Sequence, residues 1–199
     1  LKNLYDVGTL TKEDKKKVQK PLLWIGLASI VMTFAGLTSG YVVSRSALLA
    51  DNRWLEFPLP DSFLYASMAI VLSSITMILA KRSAQAGDQK VMVNYLVASL
   101  FLGLAFTAFQ FLGWDNLVSR GIYFTGVGSS NSASWVYVIT ILHWVHLFSG
   151  LLVLAYTIYR ANIGAYTKED SQGLTVSATY WHFLDILWIY LYVFLLIIR

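Results

Sequence analysis

Cysteine is absent from this chain. That excludes disulfides, thiolate-bound zinc and iron–sulfur clusters. Charge is scarce as well: 13% of the 199 residues are Asp, Glu, Lys or Arg, against about 25% in an ordinary soluble domain. Proline occurs only as Pro21, Pro58 and Pro60, so long helices can run without a breaker. Apolar residues make up the balance, at 57% hydrophobic, 15% aromatic and a mean hydropathy of +0.59. This composition belongs to a polytopic membrane protein. The net charge of +4 would suggest nucleic acid if its carriers were spread out. They gather instead on one side of the predicted membrane, and no nucleic-acid partner is expected.

Five apolar stretches are long enough to cross a hydrocarbon core that needs about 20 helical residues. They lie near residues 21–44, 62–80, 91–113, 134–159 and 177–198. Each must be helical, because an open strand in lipid leaves backbone groups unpaired. The expected fold is therefore all-α: a basic tail over residues 1–20 and a five-helix membrane domain over 21–199. Pro21 suits the first turn of the first span, where its missing N–H has no partner anyway. The first twenty residues are polar and lysine-rich, so no cleavable signal peptide is expected there. Eleven of the fifteen basic residues fall in the tail, the 81–90 loop and the 160–176 loop. They are Lys2, Lys12, Lys15, Lys16, Lys17, Lys20, Lys81, Arg82, Lys90, Arg160 and Lys168; the other side holds Arg45, Arg53, Arg120 and Arg199. The positive-inside rule then places the N-terminus in the cytoplasm and the C-terminus in the periplasm. Trp24, Trp54, Trp114 and Trp135 fall near span ends, as an interfacial belt would.

Ten of the eleven acidic residues lie in predicted tails and loops, whereas Asp185 is within the last span. The histidines His143, His146 and His182 are all within spans too. An ionised carboxylate near mid-membrane costs roughly 2.5–3.5 kcal/mol on insertion scales, so it should be paired, protonated or facing protein. At ~1.5 Å per residue, His146 lies roughly 18 Å from one membrane face and Asp185 roughly 12 Å from the other. These depths coincide, which predicts that Asp185 bonds His146, with His143 as second choice. Three readings of the cluster stay open: a structural polar network, a proton relay, and a haem or metal site. Gly36, Gly40, Gly103 and Gly150 permit close helix packing, with Ala35 and Ser149 beside them.

The run Tyr180-Trp181-His182-Phe183-Leu184-Asp185-Ile186-Leu187-Trp188 resembles the last-helix signature of subunit III of the haem–copper respiratory oxidases. His143, His146 and Gly150 match that family's His-x-x-His-x-x-x-Gly pattern in the preceding helix. Leu102, Gly103, Phe106, Thr107 and Gln110 resemble its Leu-Gly-x-x-Phe-Thr-x-x-Gln stretch, and Phe34-Ala35-Gly36 its Phe-Ala-Gly element. The likeness runs from about residue 20 to the end, as in the five-helix bacterial forms. The first two helices of seven-helix members have no counterpart here. A glutamate that often precedes Phe-Ala-Gly in the family is Ile30 in this chain, so no role of that carboxylate transfers.

The resemblance implies an accessory subunit without catalytic, cofactor-binding or metal-binding residues of its own. It would dock on a catalytic subunit I that carries haem and copper, among other subunits of the complex. It would stabilise that subunit, hold structural phospholipid and support proton uptake, in a bacterial inner membrane. Gly36, Gly103, Gln110, Gly150, Trp181 and Trp188 are its expected packing residues. The family also implies that spans one and two form one arm and spans three to five another. Cytochrome c and quinol are both open as electron donor. A subunit of a nitric oxide reductase, and a proton-coupled transporter using Asp185, are the competing readings.

Overall fold

The computed structural model describes residues 12–167 and 171–198. Much of the basic tail (Lys2 and the side chains of Lys12, Lys15, Lys16 and Lys17 included), together with Lys168 and Arg199, lies outside the described residues. Five helices follow in order: α1 Lys12–Leu49, α2 Asp61–Ala86, α3 Gln89–Ser119, α4 Asn131–Asn162 and α5 Gln172–Ile198. Each is long and apolar enough to cross a membrane, the eligible part of α1 being Val18–Leu49. The helices outrun the apolar stretches because polar residues at their ends continue the backbone pattern. Pro21 accordingly lies inside α1 and not in its first turn; its ring removes one hydrogen bond there without ending the helix.

The α2–α3 connection is only Gly87 and Asp88. Gly87 adopts φ 83°, and the N–H groups of Gly87 and Asp88 return to the carbonyls of Ala84 and Ser83 at 3.1 and 3.0 Å. This pair of bonds closes the α2 C-terminus, and the left-handed backbone at its centre favours glycine. Asp88 then caps α3, accepting from the Val91 N–H at 3.2 Å. So tight a turn lays α2 and α3 side by side as an antiparallel hairpin.

That hairpin corrects the arrangement implied by the family resemblance. Among the described residues α1 does not pack on α2; it packs on α4 and α5, whereas α2 packs on α3 and α5. The longer connection over residues 50–60 lets α1 cross to the far side of α5. The core has two parts. One lies among α2, α3, α4 and α5 around Phe63, Phe106, Trp181 and Trp188; the other joins α1, α4 and α5 around Phe34, Tyr41, Ile139 and Leu191.

The tryptophans near span ends divide between these parts and the surface. Trp24 is 64% exposed, as an interfacial residue would be. Trp54 is buried against Tyr41, its ring 5.2 Å away. The Trp114 indole N–H donates to Thr140 Oγ1 at 3.1 Å, and Trp135 packs over Gly40. Trp54 is therefore a core residue, while Trp114 and Trp135 make packing contacts and stay partly exposed.

Candidate functional site: the polar seams between helices

In an apolar medium a buried N–H or hydroxyl must find a partner on its own or another helix. On α5 the partners are serines of α2. Trp181 Nε1–H donates to Ser73 Oγ at 3.0 Å and Trp188 Nε1–H to Ser67 Oγ at 2.9 Å. Next to the first of these, Ser74 Oγ and His182 Nδ1 are hydrogen-bonded at 2.7 Å. From the first two pairs to Trp188–Ser67 the numbering rises along α5 and falls along α2, which fixes an antiparallel register. The seam extends into α3: Ser73 Oγ donates to the Ser99 carbonyl at 3.0 Å, and Ser99 Oγ meets Thr76 Oγ1 at 2.7 Å. On the α4 side, Tyr180 Oη and Ser149 Oγ are 2.6 Å apart. Tyr190 O–H reaches Thr38 Oγ1 of α1 at 3.3 Å.

The expected pairing of Asp185 with α4 does not form. Its nearest ionisable neighbour in an ion-pair geometry is His182 on its own helix, with Oδ2 3.9 Å from Nδ1. That is too long for a hydrogen bond, and His182 Nδ1 is already committed to Ser74. Depth alone misled, because equal depth leaves the direction around the helix open. Asp185 shares its side of α5 with Ile186 and Ile189 and, with Ser74 of α2, lines a groove of about 750 Å³. The side chain is 5% exposed, and neither carboxylate oxygen meets a hydrogen-bond partner within 3.5 Å among the described residues, although the Ser74 hydroxyl lies close enough to interact with it.

The two α4 histidines face α1 and α3 instead. His146 Nδ1 is 2.8 Å from the Leu142 carbonyl, and its ring lies 5.6 Å from Phe34. His143 is fully buried with its ring 6.3 Å from Phe34, 6.0 Å from Phe106 and 5.2 Å from Trp188. Ile30, one turn before Phe34, packs into the same α1–α4–α5 core. His143 and His146 thus share Phe34 of α1 as a neighbour, whereas His182 serves the α2–α5 interface. Among the described residues no group of three or more His, Asp or Glu side chains gathers as metal ligands would.

Glycine marks the closest approaches. A Cβ on Gly103 would lie 2.7 Å from Trp181 Cη2 and 2.9 Å from Leu151 Cδ2; one on Gly150 would lie 2.7 Å from Leu184 Cδ1. A Cβ on Gly36 would meet nothing within 4 Å. The contact expected at Gly36 falls at Gly40, where Trp135 Cη2 would be 2.8 Å away. Gln110 of α3 is fully buried. Sequence reasoning missed Ser67, Ser73, Ser74 and Ser99. Their signal was a set of hydroxyls in otherwise apolar spans, facing an α5 rich in N–H donors.

Five membrane-length helices, registered on one another in part by interior polar side chains, define a multi-pass membrane protein. Residues 55–198 match the family model described as cytochrome c oxidase subunit III. The chain is 29% identical over 200 residues to a probable cytochrome c oxidase subunit 3 of Nocardia farcinica, covering 99% of this chain and 89% of that one. A probable cytochrome c oxidase subunit 3 of Mycobacterium leprae is 30% identical over 179 residues, with 88% and 85% covered. The cytochrome c oxidase subunit 3 of Corynebacterium diphtheriae is 26% identical over 170 residues, with 84% and 82% covered. This chain belongs to the cytochrome c oxidase subunit III family. It is an accessory, multi-pass membrane component of a respiratory oxidase complex.

Proposed function

We propose that the chain docks against a catalytic subunit I carrying haem and copper, stabilises it and supports its proton uptake in a bacterial cytoplasmic membrane. The observation that carries this reading is how the interior polar groups are used. Trp181, Trp188, Tyr180 and His182 each bind a hydroxyl of a neighbouring helix. That is the chemistry of a scaffold, which holds helices in register and moves no electron. The basic residues support an N-terminus on the cytoplasmic side, with residues 1–20 as a topological signal. Structural phospholipid suits the apolar groove between α2 and α5, where Val71, Ile75 and Val193 form much of the wall. Purification through a tag on this chain in mild detergent, followed by mass spectrometry, tests the reading. A haem–copper subunit should be recovered in equal amount. Recovery of the chain alone, fully folded, would reject it; a nitric oxide reductase as companion would reassign it.

A further inference from the structure

Four buried polar atoms on α3 and α4 have no hydrogen-bond partner among the described residues. They are Gln110 Oε1 and Nε2 and His143 Nδ1 and Nε2, on two residues that are fully buried. The register of the helices places them in one layer. One turn before Gln110, the Phe106 ring lies 6.0 Å from the His143 ring. One turn after Gln110, Trp114 donates to Thr140, which stands one turn before His143. Gln110 therefore projects into the layer bounded by Thr140 and His143.

Leaving such groups dry in the middle of a membrane protein carries a desolvation penalty for each. A direct bond between the two side chains does not remove it. One contact joins one amide atom to one ring nitrogen, and leaves the other amide atom and the other nitrogen bare. Thr140 offers little relief, since its hydroxyl already donates to the Val136 carbonyl at 2.8 Å and accepts from Trp114. Water, with two donors and two acceptor sites, can serve the remaining groups.

We propose that ordered water occupies this layer as a structural ligand, hydrogen-bonded to both the Gln110 amide and the His143 ring. Its consequence is orientational. A histidine with two unbonded nitrogens has no polar restraint on the plane of its ring. This ring meets Phe34 of α1, Phe106 of α3 and Trp188 of α5, so four helices converge on it when its own α4 is included. A water-held ring gives α1, which among the described residues packs on α4 and α5, a fixed surface to rest on. The inference does not depend on which oxidase the chain serves.

Cryo-electron microscopy of the intact complex, at a resolution that resolves ordered water, is the direct test. A density peak within hydrogen-bond distance of both Gln110 and His143 is expected, and its loss in Gln110→Met. An amide and ring in direct contact with no water peak, or a dry layer, overturns the proposal. Heating the complex and scoring retention of this subunit gives an independent readout. Gln110→Met and His143→Leu each strand the other group and should each lower the fraction retained. The double variant should retain at least as much as the worse single one, because no stranded partner remains. Losses that simply multiply would overturn the shared-water reading.

Discussion

At the residue scale, a single serine can hold three helices together. Ser73 accepts the Trp181 N–H at 3.0 Å and donates to the Ser99 carbonyl of α3 at 3.0 Å. Ser67 accepts from Trp188 but spends its own proton on Phe63 of its own helix. Ser73→Ala should therefore cost more than Ser67→Ala, about 1–2 kcal/mol against about 0.5–1. Thermal melting of the purified complex, read as retention of this subunit, checks the order; the reverse order would mean the seam is not what registers α2 on α5. Asp185 leads to a second prediction. Its carboxylate has no hydrogen-bond partner within 3.5 Å among the described residues, and the Ser74 hydroxyl beside it is already bonded to His182. Asp185→Leu should then lose no more retention than Asp185→Asn, since an apolar side chain of similar volume replaces an unpaired polar one. Loss of the subunit with Leu alone would reveal a donor supplied from outside the chain. Asp185, the histidines and the tryptophans were legible in the sequence because such types stand out in an apolar run. The serines were not, because a hydroxyl in a membrane helix can equally bond back to its own backbone, as Ser67 does.

At the element scale, what sets the spacing between helices is where side chains are missing. Gly103 lies under Trp181, whose indole is held by Ser73 and cannot easily retreat. Gly103→Ala should force α3 away from α5 and cost about 1–3 kcal/mol, the usual penalty for overfilling a packed core. Gly36→Ala, in open space, should be neutral or slightly stabilising, since alanine is the better helix former by about 1 kcal/mol. Parallel melts of the two variants decide this, and equal losses would refute the assignment of contacts. Existence and type of all five helices could be read from hydropathy, because membrane length and backbone satisfaction leave no other solution. Which glycine of Gly36 and Gly40 receives a neighbour could not, because one residue of helical rotation, about 100°, changes the answer. The partner of α2 was likewise hidden until the Gly87–Asp88 turn, two residues long, fixed it to α3.

For the whole molecule, the question is whether this chain contributes a redox centre or only a frame. Its three histidines do not converge on one point: His143 stands among Phe34, Phe106 and Trp188, His146 against Phe34 and the Leu142 carbonyl, and His182 on Ser74. A haem with two protein ligands needs two of them to face each other across a gap as wide as the macrocycle. The His143 ring has Phe34, Phe106 and Trp188 rings at 5.2–6.3 Å on the sides toward α1, α3 and α5, and no second histidine faces it there. A metal site without thiolate would need three or four of the His and Asp side chains to converge, and Asp185 lies with His182, beside Ser74 of α2, without a bond to His143 or His146. The chain expressed and purified without its companions should therefore be colourless. It should show no Soret absorbance, and copper and iron well below one atom per chain by elemental analysis. A Soret band that scales with protein concentration through successive columns would reject the frame reading and require that His143 turn out of its aromatic cage. In the intact complex the haem and copper content should follow the haem–copper subunit, and should stay with it when heat or detergent strips this chain away.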